Sequence, residues 1–121
     1  MAKNLDELIA FRLAREFKLE VYRLIRTHPA AERDFRYCSQ LRDSASGAEA
    51  NIAEGWRRCR PREMAQYVRI GLASLEEAKV RLQDGIDRGH FTESECQVAF
   101  ETARRAGAAT MGLLKALQRS N

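Results

Sequence analysis

The chain has 121 residues, 45% hydrophobic and 31% charged, with a formal charge of +4. That length suits one domain, and the absence of any run of about 18 apolar residues excludes a membrane-spanning helix. The first residues, Met1-Ala2-Lys3-Asn4-Leu5, lack the charged-then-apolar layout of a secretion signal, so the expected address is the cytoplasm and no membrane partner is expected.

Four helical segments are predicted, over about 4–27, 31–56, 61–88 and 93–119. In the first, Leu5, Ile9, Leu13, Phe17, Val21 and Leu24 recur every three or four residues, with Leu8 and Ile25 widening the stripe. Pro29 closes it, because a residue before proline is pushed away from helical dihedrals.

The second segment carries a seam of small residues, Leu41, Ala45, Ala48, Ile52 and Gly55. Beside it runs a polar or small stripe with the same spacing: Gln40, Ser44, Gly47, Asn51 and Glu54. Such a stripe is either a solvated flank or a second contact surface, toward another helix or another subunit. Glycine and serine favour the contact surface, since an exposed flank more often carries Lys and Glu. Asn51 and Glu54 share a face and could hold a ligand, but bonds that set the register of a neighbour are the simpler reading.

Pro61 opens the third segment, followed by Met64, Tyr67 or Val68, Gly71, Leu75, Ala78, Leu82 and Ile86. Gly89 ends it. Thr92 and Glu95 form a capping box ahead of the fourth, whose stripe is Cys96, Phe100, Ala103, Gly107, Thr110, Leu113 or Leu114, and Leu117. No segment alternates with period two. Rods of roughly 36–40 Å, joined by short breaks, predict an all-α, antiparallel up-down-up-down four-helix bundle.

The whole charge excess lies in one place. Arg57, Arg58, Arg60 and Arg62 fall in a stretch without an acid, next to Trp56, between the second and third segments. Guanidinium forks suit phosphate oxygens and an indole can stack on a base, so these five residues form the candidate nucleic-acid site, for RNA or DNA. The competing reading is a solvated basic loop that offsets the helix dipole. Arginine outnumbers lysine 17 to 4, which fits a phosphate-binding role and equally fits a GC-rich genome. Arg12, Arg15, Arg104 and Arg105 are candidate auxiliary contacts on helix faces.

Catalytic chemistry finds little support. His28 and His90 sit at helix ends beside Pro29 and Gly89, where histidine commonly caps or faces solvent. A di-iron carboxylate site needs Glu-x-x-His pairs, and Ile25 and Asp87 occupy the glutamate positions. Cys38, Cys59 and Cys96 are odd in number and unclustered, and read as free thiols. The expectation is a non-enzyme with no metal or cofactor. A protein-interaction scaffold is the alternative function.

Several runs resemble the bacterial four helix bundle proteins, some of which are encoded within 23S rRNA intervening sequences. They are Ser39-Gln40-Leu41-Arg42, Ala50-Asn51-Ile52-Ala53-Glu54-Gly55, Arg62-Glu63, Tyr67, Gly71-Leu72-Ala73-Ser74-Leu75-Glu76 and the Gly89-to-Glu93 turn. Ala14, Val21-Tyr22, Leu24 and Pro29 fit as well. The resemblance implies assembly as a ring, a homopentamer. It also implies distant kinship with the accessory protein of diversity-generating retroelements, which is basic and pentameric and binds nucleic acid and a reverse transcriptase. Arg60 departs from the pattern, standing where the family often has a Ser or Thr cap.

Overall fold

A computed structural model describes residues 4–5 and 8–120. Among them the chain is all α, with five helices: α1 (Ile9–Arg26), α2 (Pro29–Glu32), α3 (Phe35–Trp56), α4 (Pro61–Asp87) and α5 (Glu93–Arg119). This corrects the four-helix expectation. The segment predicted to run without a break from residue 31 is split, and its first part is a separate one-turn helix. Pro29 occupies the start of α2, where its missing N–H costs nothing. Ala31 is fully buried, and its carbonyl accepts from the Asp34 N–H at 2.9 Å and from the Cys38 thiol at 2.9 Å. Those bonds stop the turn at Asp34, whose φ of −87° and ψ of 76° interrupt the helical path before α3.

The first helix is also shorter than predicted, because Leu8 is extended and α1 opens at Ile9. Asp6 and Glu7, within the predicted segment, lie outside the described residues.

The four long helices pack as a square in which α1 and α4 each touch both α3 and α5. Leu8, Trp56, Met64, Leu114 and Leu117 meet in one cluster. The start of α1, the end of α3, the start of α4 and the end of α5 therefore share one end of the molecule, and successive long helices run antiparallel. The main core lies along the axis, with Phe17, Val21, Leu24, Leu41, Ile52, Leu75 and Leu82 at most 1% exposed. Burying each such side chain contributes roughly 1.5–3 kcal/mol.

Alanines fill much of the seam between helices. Ala10 and Ala14 are buried on α1, whereas Ile9, expected in the stripe, is 63% exposed. On α5 the buried positions include Ala99 and Ala106, and Phe100 is only half-buried. Small side chains let helices close until the seam passes through them, which displaces the larger neighbours to the rim. Gly89 ends the corner after α4 with a φ of 82°, a left-handed conformation that favours glycine.

Candidate nucleic-acid interface

The polar stripe of α3 faces α4 of the same chain. Gln40 Oε1 accepts from Arg81 Nη1 at 3.0 Å. Ser44 is buried, its hydroxyl donating to the Gln40 and Leu41 carbonyls at 3.1 and 3.2 Å. Its own carbonyl accepts from the Ser74 hydroxyl at 2.9 Å. A Cβ on Gly47 would overlap that hydroxyl and stand 2.8 Å from Ser74 Cβ. Gly71 brings α4 against Ala48 and Asn51. Asn51 donates to the Gly47 carbonyl at 2.8 Å, whereas Glu54 accepts from Arg58 at 2.9 Å, so the two do not converge on a shared ligand.

The basic corner between α3 and α4 holds its residues unequally. Trp56 is half-buried and packs against the cluster of Met64, Ala65, Val68 and Leu114, which commits part of its indole to the protein. Arg58 folds back: Nη2 bonds Glu54 and also the Tyr67 hydroxyl at 2.8 Å, and its guanidinium lies 4.9 Å from the Tyr67 ring centroid. Arg60 lies 3.9 Å from Glu63, a loose pair on a side chain 82% exposed. Arg57 and Arg62 are exposed, and neither forms an ion pair with a described residue.

Arg60 is also the residue that precedes α4, extended and without a side-chain bond to the first turn. The N–H groups at that helix start therefore receive no side-chain oxygen, and their partial positive charge adds to the arginines. The antiparallel packing brings further cations to the same end. Lys115 and Arg119 come from the last turns of α5 and Arg12 from the start of α1, all exposed and none in an ion pair with a described residue. Lys115 and Arg119 carry no local signal, since only the fold brings them to the end that carries residues 57–62. Of the other auxiliary candidates, Arg15 is paired with Glu49 and Arg104 with Glu101, while Arg105 is exposed without an ion pair among the described residues.

Residues 6–111 match the family described as 23S rRNA-intervening sequence protein. The chain belongs to that family. No curated protein sequence matches it. The four-helix architecture attached to the family resemblance does not describe this member, which has the additional turn α2. The family match covers the polar stripe and the whole basic corner, and ends before Lys115 and Arg119.

At the opposite end of this family member, two histidine–carboxylate pairs flank the α4–α5 corner. His28 Nε2 is 2.7 Å from Glu95 Oε2, and His90 Nε2 is 2.9 Å from Asp34 Oδ2. The His28 ring meets Phe91 edge-on at 5.1 Å. Glu95 also completes the capping box with Thr92. The His28 bond, helped by the Thr92 backbone N–H, holds the Glu95 carboxyl at about 2. In return the Glu95 bond raises His28 against the opposing effect of burial. The bond from His90 lowers Asp34. These histidines therefore tie helices together, beyond the solvent-facing or capping roles expected of them.

A groove of about 860 Å³ lies between α4 and α5 and is lined by Gln83, Ile86, Gln97, Phe100, Glu101 and Arg104. It is far along α4 from the basic corner. Among the described residues, no three His, Cys, Asp or Glu side chains cluster as a metal site would require, and no helix is long and apolar enough to cross a membrane.

Proposed function

We propose that this member of the 23S rRNA-intervening sequence protein family is a non-enzymatic nucleic-acid-binding protein that grips the phosphate backbone with its basic end. The observation that carries the reading is the pair Arg57 and Arg62, exposed and without a carboxylate partner among the described residues, beside an α4 start that lacks a side-chain cap. Arg60, Lys115 and Arg119 extend the same surface. Recognition is backbone-directed and largely sequence-independent, because phosphate contacts position a protein without reading bases. Self-association, with a pentamer as the family resemblance implies, belongs to the same proposal. It would repeat the basic end around an assembly and multiply weak contacts.

Fluorescence anisotropy with labelled RNA and DNA at two salt concentrations tests this. Wild-type protein should bind, and the R57A/R60A/R62A variant should bind more weakly with a salt slope lower by about 2–3. No binding at low salt, or an unchanged slope in the variant, sinks the reading. The protein-scaffold alternative draws on Ile70 and Val80, 52% and 69% exposed on the outer face of α4. It predicts a protein partner whose capture survives nuclease treatment.

A further inference from the structure

Phe35 is the first residue of α3 and is 80% exposed, more than any other large apolar side chain among the described residues. Packing against the described residues does not account for an aromatic there. Its surroundings are cationic. Arg33 lies just before it, Arg36 follows it, and Arg42 is two turns on along the same outer face. All three are exposed, and none forms an ion pair with a described residue. The acid between them is already occupied: Asp34 Oδ2 faces His90 at 2.9 Å and Arg88 at 3.1 Å. Glu32 and Asp43 are the nearby carboxylates that stay exposed, two against the three arginines.

We propose that the start of α3 is a second contact surface, specific for single-stranded nucleic acid, in which one base stacks on Phe35 and Arg33, Arg36 and Arg42 take the adjoining phosphates. This extends the nucleic-acid reading of the chain, at a surface separate from the basic corner. A phenyl ring accepts the π-face of any base, and arginine forks match phosphate oxygens. A paired base inside a duplex has both faces covered by its neighbours, so only an unpaired one is available to Phe35. The 22 residues of α3 place this surface about 33 Å from the basic corner. Between them the outer face presents Ser39, Arg42, Ser46 and Ala50, spaced by three or four, with Asp43 beside Arg42 as an exposed carboxylate on it. A strand lying along α3 could engage both ends at once, and the linked contacts would reinforce each other.

The test uses the full chain, a fluorescein-labelled oligothymidylate of about 15 nucleotides and a duplex of equal length, read by anisotropy at two salt concentrations. F35A should weaken single-strand binding roughly tenfold with little change in salt slope, F35W should restore it, and duplex binding should not change. R33A/R36A should lower the single-strand slope by about 1.4. The proposal is overturned if F35A binds the single strand as wild type does, or loses duplex affinity to the same extent. It is also overturned if F35A changes the molar mass by light scattering, or alters binding to anionic phosphatidylserine vesicles and not to the oligonucleotide. Should R57A/R60A/R62A bind normally while F35A fails, the basic-corner reading falls and this one stands. A wild-type chain that binds no oligonucleotide at low salt overturns both.

Discussion

His28 Nε2 stands 2.7 Å from Glu95 Oε2, joining residues 67 positions apart and fastening the end of α1 to the first turn of α5. The pair makes stability depend on pH in both directions. His28 is raised above 6.5, so its contribution is full below that pH and is lost as pH climbs through the folded value. Glu95 is lowered from 4.5 to about 2, so its contribution is present above 4.5 and is lost as pH falls toward 2. Arg23, from α1, works against the His28 charge, and the Asp34–His90 pair adds a second acid-side loss of the same sign.

The urea midpoint of wild type minus that of H28Q should therefore be largest at about pH 5.5 and shrink toward both pH 8 and pH 3. A difference that stayed constant across that range would show that the pair is not responsible.

Gly47 and Ser74 fix how closely α3 and α4 approach. Ser74 cannot swing away freely, because its hydroxyl is bonded to the Ser44 carbonyl. An alanine at position 47 gains about 1 kcal/mol of helix propensity but must displace Ser74, and overpacking of this kind costs typically 1–3 kcal/mol. G47A should destabilise the protein by about 1 kcal/mol in chemical denaturation. G47A/S74G should recover much of that packing loss, since it removes both clashing atoms, although it adds a helical glycine. Equal stability of G47A and wild type would mean that the helices separate at no cost.

Arg60 sets stability against binding. A serine at this position could accept from the first turn of α4, which has no side-chain cap, and such a cap is worth about 1 kcal/mol. R60S should raise the denaturation midpoint and at the same time lower oligonucleotide affinity and the salt slope by about one phosphate contact. A variant that is more stable and binds unchanged would remove Arg60 from the interface.

Arg58 should behave unlike its neighbours. Its guanidinium is held by Glu54 and Tyr67, so it contributes to the shape of the corner more than to phosphate contact. R58A should leave the salt slope close to wild type and reduce stability by no more than about 1 kcal/mol, the range of exposed ion pairs. R57A and R62A should each lower the slope by about 0.9 with an unchanged denaturation midpoint. If R58A lowered the slope as much as R57A does, the latch would not exist.

What could be read in the sequence was local. The Thr92–Glu95 box, the Pro61 helix start and the breaks near Pro29 and Gly89 each depend on residues a few positions apart. The all-α character follows from the same short-range periodicity. Whether residues 29–34 continue α3 or form their own turn depends on the burial of Ala31, which only the packed molecule decides. Periodicity also favoured Ile9 over Ala10, because large side chains dominate a hydrophobic stripe while the closest helix contacts select small ones. The partner of the polar stripe lies a full helix away, at Ser74 and Arg81, and no spacing announces it. The same holds for the histidine–carboxylate pairs, and for Lys115 and Arg119, which chain reversal brings to the end of the molecule that carries residues 57–62.

The three thiols are sorted by depth. Cys38 and Cys96 are sealed inside, where burial pushes both upward, Cys96 to about 11, while Cys59 is exposed between Arg58 and Arg60. A maleimide dye added to the native protein therefore has one attachment point, at the centre of the corner, without any residue being replaced. Emission from that dye would follow events at residues 57–62 directly, and would separate them from events at Phe35 on the far end of α3.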